Sequence, residues 1–186
     1  VKITQKSKIE YLYNSDMLSG DKFSYEDYEK NEKSEIICHS QLFDYMIENC
    51  YSNLTEKHIL KMHKILTKKS FSKKESGKYR DFHVYLGKFM GTYPTLIKKQ
   101  MKDFLKTCIK ATTYEQCWSC YCEFESIHPF SDGNGRVGRI IFNWLCLKNS
   151  IPLQIIKFTE KNNYIYQLNI YKINKAFQNN DFWSNQ

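Results

Sequence analysis

The chain has 186 residues, a net charge of +8, 41% hydrophobic and 26% charged residues. That balance excludes a disordered or collagen-like chain and allows one domain with a real core. No apolar run approaches membrane-spanning length, and the positive charge favours nucleic acid, acidic protein surfaces or phosphorylated small molecules without choosing among them. The lysines are scattered (Lys68, Lys69, Lys73, Lys74, Lys98, Lys99, Lys102, Lys106), as on a solvated face, and the heavy use of Lys, Asn, Ile and Tyr fits an AT-rich genome as readily as a function. Seven cysteines lack framework spacing, and the opening VKITQKSKIE is no signal peptide. Together they predict a reducing, cytoplasmic setting, while a start at Val1 suggests a trimmed N-terminus.

In chain order, Ile36 to Cys50 places Ile37, Phe43, Met46, Ile47 and Cys50 at helical spacing, and Asn53-Leu54-Thr55 offers a cap for a helix over Glu56 to Leu66. His63 shares that helix's apolar stripe with Ile59 and Leu66 and reads as a packed, hydrogen-bonded histidine. SKKESGKYR breaks the pattern. DFHVYLG then alternates as a strand, and GKFMGTYP as its turn and return. One hairpin in a helical protein builds no sheet, so it must lie over something. Helices follow over Leu96 to Cys108, Tyr114 to His128, Arg136 to Lys148 and Tyr164 to Phe177. Cys117, Cys120 and Cys122, with His128 beyond, have a spacing zinc can use, but YEQCWSCYCEFESIH reads as a buried helix in which cysteine is an ordinary core residue. The expected fold is all-α, one domain over 1–186, with a single short hairpin.

The chemistry gathers between the last two central helices, in HPFSDGNGRVGR, His128 to Arg139. Only three residues of the whole chain are Arg (Arg80, Arg136, Arg139), and two lie here. A guanidinium is a planar fork of donors that fits phosphate oxygens, and an ammonium is not. Pro129 fixes a turn after His128, and Phe130 is the apolar anchor of the loop. Gly133 and Gly135 allow the backbone N–H groups to converge as an anion nest just before a helix N-terminus. Arg136 and Arg139, three apart, share one face of that helix. Asp132 beside such a nest makes sense if Mg²⁺ bridges it to phosphates, and His128 has the near-neutral pKa of a general base. The inventory is that of a phosphoryl or nucleotidyl transfer site.

HPFSDGNGRVGR matches in full the signature His-x-Phe-x-(Asp or Glu)-Gly-Asn-Gly-Arg-x-x-Arg, and by it the chain resembles the Fic family. SGKYRDFHVYLG with GTYP resembles that family's flap, and Ile151-Pro152-Leu153 also resembles family sequences, so the likeness runs from about Ser7 to Phe177. The resemblance implies a Fic-type helical domain with a flap at 77–94 over the active site and core helices at 114–149. It implies a protein adenylyltransferase, with ATP and Mg²⁺ as cofactors. His128 would deprotonate a Tyr, Ser or Thr hydroxyl of a target protein, AMP would pass from ATP to it, and pyrophosphate would leave. Asp132 would hold Mg²⁺. Phe130, Gly133, Asn134 and Gly135 would form the nucleotide site, with Arg136 on the β-phosphate and Arg139 on the γ-phosphate. Tyr85, Gly87, Lys88 and Phe89 of the flap would position the target. Self-modification, a homodimer or a separate antitoxin are the partners such a chain would have, with no membrane and no nucleic acid expected.

Many relatives carry an inhibitory helix, (Ser/Thr)-x-x-x-Glu-(Gly/Asn), whose Glu pairs with the last signature arginine. In the segment 1–30 the matching stretch, IEYLYNSDMLSGDKFS, keeps Ser15 and Gly20 but has Ser19 in place of the Glu. A hydroxyl makes no charged bidentate pair with Arg139, so inhibition is expected to be weak or absent and regulation to come from oligomerisation or a partner. Two alternatives carry different chemistry. The same fold also transfers phosphocholine or, in Doc toxins, phosphate, although Doc-like sequences usually replace the second glycine by lysine and Gly135 is intact here. A non-enzymatic, basic nucleic-acid-binding or toxin-system regulatory module would rest on the +8 charge and the Lys-rich faces.

Overall fold

The computed structural model describes residues 3–69, 75–87 and 89–178. Its eight described helices are α1 (Gln5–Ser19), α2 (Tyr25–Lys30), α3 (Ser34–Asn49), α4 (Glu56–Leu66), α5 (Ile97–Lys110), α6 (Tyr114–Ile127), α7 (Asn134–Lys148) and α8 (Lys161–Gln178). The described strands are β1 (Tyr85–Leu86) and β2 (Phe89–Met90), paired antiparallel with Leu86 opposite Phe89. The fold is thus all-α, of the Fic type, with a short hairpin flap, as the sequence leads one to expect.

α7 is the axis. Every residue from Val137 to Leu147 is buried, on all sides of the helix, which requires neighbours all round. α6 packs along one side, and α1, α3 and α4 cover others. α5 and α8 lie against α6. The starts of these helices are written locally. Thr4, Ser24 and Thr113 each cap a helix with a reciprocal box, and Thr55 caps α4 through the His58 N–H. The Glu56 to Leu66 expectation coincides with the observed helix. Cys117, Cys120 and Cys122 are buried in α6 as core residues.

Gly138 permits the closest approach of α6 to α7. A Cβ there would meet Glu125 Oε1 and Tyr121 Cε2 at 2.9 Å and Phe124 Cδ1 at 3.1 Å. Beyond α7 the chain returns over it. Asn143 donates to the Gln154 carbonyl at 3.0 Å and accepts from its N–H at 2.7 Å, like a missing strand partner. The Trp144 indole donates to Ser52 O at 3.1 Å and fixes the loop before α4.

The hairpin is shorter than the alternating pattern leads one to expect, two residues per strand instead of a run through DFHVYLG and GKFMGTYP. Its root is occupied by Arg80, whose guanidinium takes the carbonyls of both flanks, Phe82 at 2.5 Å and Thr92 at 2.7 Å. Gly91 makes room for it, since a Cβ there would stand 3.1 Å from Arg80 Nη2. Gly87, at φ 64°, supplies the left-handed turn residue. Lys88 lies outside the described residues.

Gly138→Ala should lower the unfolding free energy by about 1–3 kcal/mol, because α6 and α7 must separate to admit the methyl group. Urea denaturation followed by circular dichroism measures this; an unchanged midpoint would mean that the two helices are not held at this contact.

Candidate active site

α6 ends at His128, which adopts a left-handed conformation (φ 50°, ψ 61°) while its N–H still bonds Phe124 O at 2.9 Å. A non-glycine residue there is strained, and Arg80 holds it. Arg80 Nε donates to His128 O at 2.7 Å, Nη2 to Ile127 O at 3.3 Å, and the Arg80 N–H to Pro129 O at 2.9 Å. The same guanidinium therefore ties the flap root to the turn that aims the histidine. Burial, then the positive charge of Lys172, pushes the His128 pKa down to about 4, so the ring is neutral at pH 7. Its Nδ1 is buried beside the Glu125 backbone without a hydrogen bond of good geometry.

Phe130 is fully buried and stacks on His63, with ring centroids 3.9 Å apart and planes 2° apart. His63 Nδ1 accepts the Gly77 N–H at 2.9 Å, so its proton resides on Nε2 and is donated to Asp132 O at 3.2 Å. Burial holds the His63 pKa near 4, which preserves this tautomer. Asn134 exchanges two hydrogen bonds with the Phe130 backbone, both at 2.9 Å. Phe130 is thus the apolar anchor of the loop, and the Asn134 side chain braces the loop backbone.

Gly133, at φ 74°, caps α7 without a side chain. The α7 ladder opens with Val137 N–H to Gly133 O at 3.0 Å, so the N–H groups of Asn134, Gly135 and Arg136 precede it. They form the anion-accepting end of an uncapped helix. Asp132 stands at its mouth with a side chain 65% exposed. One exposed, oxygen-only ligand next to a phosphate nest fits Mg²⁺, which takes one or two carboxylates and completes its shell from substrate phosphates and water. Among the described residues no group of three or more His, Cys, Asp or Glu forms a ready-made metal cage.

The two signature arginines are both engaged from the N-terminal helix. Arg139 is buried, and Gly135 lets its guanidinium lie close to the backbone, 3.1 Å from where a Cβ would be. Its Nε donates to Ser15 Oγ at 2.9 Å, Nη2 to Ser15 O at 2.7 Å and to Ser19 Oγ at 2.6 Å, and Nη1 to the Tyr164 hydroxyl at 3.2 Å. Ser19 thus reaches the arginine, with a neutral oxygen. Gly20 ends α1 in the left-handed region, and Asp21 beyond it meets Arg136 at 3.2 Å; Arg136 also lies 3.5 Å from Asp132. Asp16, one residue after Ser15, anchors α1 through His39 (2.8 Å) and Tyr28 (2.9 Å). Burial opposes its charge, but His39 overrides this and holds the carboxyl below its ordinary range.

Sequence reasoning missed Arg80, Asp21, Glu125, Tyr164 and Lys172. Arg80 carried a signal, as the remaining member of three arginines; Asp21 lies just past α1 in a stretch read only for its missing glutamate, and the others lie in helices read for their cysteines or apolar stripes. Of the flap residues, Tyr85 is exposed and Phe89 is half-buried under the ammonium of Lys172, 6.0 Å from the ring centroid.

With this geometry in view, residues 53–146 match the model of the Fic/DOC family. The protein adenylyltransferase fic-1 of Caenorhabditis elegans is 26% identical over 101 residues, 52% of this chain and 20% of that protein. A Fido domain-containing protein of Dictyostelium discoideum is 31% identical over 100 residues, 50% of this chain and 70% of that protein. The chain thus spans about a fifth of the length of the adenylyltransferases it matches. A Fic domain-containing signaling protein from Bacteroides thetaiotaomicron superposes with a TM-score of 0.79 at 23% identity, over 89% of this chain and 72% of that one. Fic-1 from C. elegans does so at 0.79 and 19%, over 90% and 56%.

Unfolded histidines titrate near 6.5, whereas His63 and His128 titrate near 4 in the folded chain. A depressed folded pKa means that stability is fully present above pH 6.5 and is lost as pH falls toward 4. Unfolding at pH 5 should therefore take up about two protons, and about one in His128→Ala. The slope of unfolding free energy against pH measures this, and a flat profile between pH 5 and 7 would show that neither ring is held neutral.

Proposed function

The chain belongs to the Fic/DOC family, and from that premise we propose that it is a Mg²⁺-dependent protein adenylyltransferase, moving AMP from ATP to a Tyr, Ser or Thr hydroxyl of a target protein. The observation that carries the proposal is a neutral histidine, His128, fixed in a strained turn beside an uncapped helix N-terminus that bears two guanidiniums.

His128 Nε2 accepts the proton of the target hydroxyl. The freed oxygen attacks the α-phosphorus of ATP, and the bond to the bridging oxygen breaks to release pyrophosphate. The N–H groups of Asn134, Gly135 and Arg136 hold phosphate oxygens at the α7 terminus. Arg136 and Arg139 meet the charge that grows on the leaving group, where electrostatic stabilisation lowers the barrier most. Asp132 would hold Mg²⁺, which when bound neutralises phosphate charge. The flap lies beside His128 and presents short strands along which a target segment can be laid by strand pairing. The matching segment of fic-1, itself named a protein adenylyltransferase, supports the class of reaction.

To seat a triphosphate, Arg136 must release Asp21 and Arg139 must release the two serines. Only the first exchange breaks an ion pair, so restraint from α1 is mild, in keeping with Ser19 in place of a glutamate.

Intact-protein mass spectrometry after incubation with ATP and Mg²⁺, on this chain and on hydroxyl-bearing candidate targets, tests the reading. An adenylate adduct is expected, reduced about 10²–10⁴-fold in His128→Ala, while calorimetry finds ATP binding retained in that variant. Failure of ATP to bind either protein would remove the adenylyltransferase reading; an adduct from CDP-choline instead would move it to phosphocholine transfer. Ser19→Glu should place a carboxylate against Arg139 and weaken ATP binding by about tenfold or more, an ion pair with a buried arginine being far harder to exchange than a hydroxyl contact. Unchanged calorimetric affinity would mean that Arg139 does not face the nucleotide.

A further inference from the structure

α8 carries a lysine that belongs neither to the signature nor to the flap, yet it meets both. Lys172 is half-buried, and its ammonium lies 6.0 Å from the centroid of Phe89, on the outgoing strand of the hairpin. On its other side it faces Glu125 and the Cys122 thiol of α6. Glu125 is buried and lies in the field of Arg139 on α7 and of Lys172 on α8, and its Oε1 has no hydrogen-bond partner among the described residues. A buried carboxylate without a full set of donors is costly unless cations stand over it, which gives Lys172 a reason to stay. α8 is itself held for the purpose: Lys175 pairs with Glu123 at 2.7 Å and Tyr171 donates to the same carboxylate at 3.1 Å. Lys172 is remote from the signature in sequence, but α8 packs against α6, the helix that ends at the histidine.

We propose that Lys172 is a positioning residue of the transfer site: set against the Phe89 ring from α8, which Lys175 and Tyr171 anchor on Glu123 of α6, it fastens the outgoing strand of the flap beside the histidine. Arg80 fixes the flap's root; Lys172 fixes its far strand. The charged groups acting on His128 are Asp132 from the signature loop, Arg80 from the segment before the flap and Lys172 from α8, while Glu125 of α6 acts through its backbone. Lys172 and Arg80 disfavour a proton on the ring, Asp132 favours one, and Lys172 is the strongest charge among them. A plain surface lysine, lying its stem on apolar atoms with a solvated head, would influence neither the ring nor the flap.

The proposal rests on the adenylyltransferase reading only for the role of His128, and its test needs neither ATP nor a target. Nuclear magnetic resonance of the full chain follows the His128 ring through a pH titration and the exchange of the Gly91 amide, which closes the flap on Val84 O at 3.0 Å. Lys172→Met keeps the stem and removes the charge. It should raise the His128 midpoint by about one unit and speed Gly91 exchange about fivefold; Lys172→Arg should return both to the wild-type values. The proposal fails if either readout stays put in the Met variant, or if Arg and Met behave alike. Should the Met variant not fold, Lys172→Gln is read by the same two criteria. A chain that passes here but transfers no AMP would lose its proposed function and keep this arrangement, and the reverse result would do the opposite.

Discussion

The site depends on a helix being stopped in the right place. α6 must end at His128 with its last carbonyls turned away from solvent, and those carbonyls need donors once buried. Arg80 supplies them, together with the carbonyls of Phe82 and Thr92 at the two ends of the hairpin. One planar fork thus couples three things that are separate in sequence: the strained turn, the histidine it carries, and the flap. A lysine could not replace it, because a single ammonium cannot face carbonyls spread around a plane. The close passage at Gly91 and the Arg80 N–H bond to Pro129 O follow from that choice. The scarcity of arginine in a lysine-rich chain then has one explanation at all three positions: each is a place where geometry, and not only charge, is required.

Much of this was legible in the sequence. The boundaries of α4 and α6, the buried character of α7 and the loop between α6 and α7 follow from caps, periodicity and glycines, because those signals are local. The packed role of His63 was legible too, from its place on an apolar stripe. What could not be read is what distant segments do to one another. That Phe130 anchors the loop was legible, but not that it does so by stacking on His63, nor that the Asn134 side chain braces the loop backbone. Their neighbours alone do not say which atoms of a motif face the ligand and which build the loop. The hairpin misled for a related reason: alternation reports a half-buried ribbon, but the ladder closes over only two residues per strand because Arg80 claims the carbonyls at its root.

The N-terminal helix shows the same limit from the electrostatic side. Counting charges along IEYLYNSDMLSGDKFS finds a serine where a glutamate would be and suggests no grip on the signature. In space, Ser15 and Ser19 reach Arg139, and Asp21 reaches Arg136 because Gly20 turns the chain through a left-handed residue just before it. The helix is itself fixed by the buried Asp16, shared between His39 and Tyr28. The grip is therefore real but mostly neutral, and its one ionic contact is with the more accessible arginine.

That distribution separates two parts of the molecule with different duties. The segment matching the family, 53–146, builds the loop, the helix terminus and the flap, whose backbone is held by its own side chains, Arg80 and Asn134 among them. The partners that hold the signature arginines come largely from outside it: Ser15, Ser19 and Asp21 before, and Tyr164 after. Geometry of the first kind tolerates little change, since a displaced carbonyl or a lost left-handed residue dismantles the nest. Charge of the second kind can be altered one residue at a time, as the serine at 19 illustrates, leaving the nest intact while changing how readily an anion displaces the groups already there. The nest can therefore persist while its restraint is revised, and the flanking helices are where such revision is least disruptive, because nearly all of their contacts to the arginines run through single side chains.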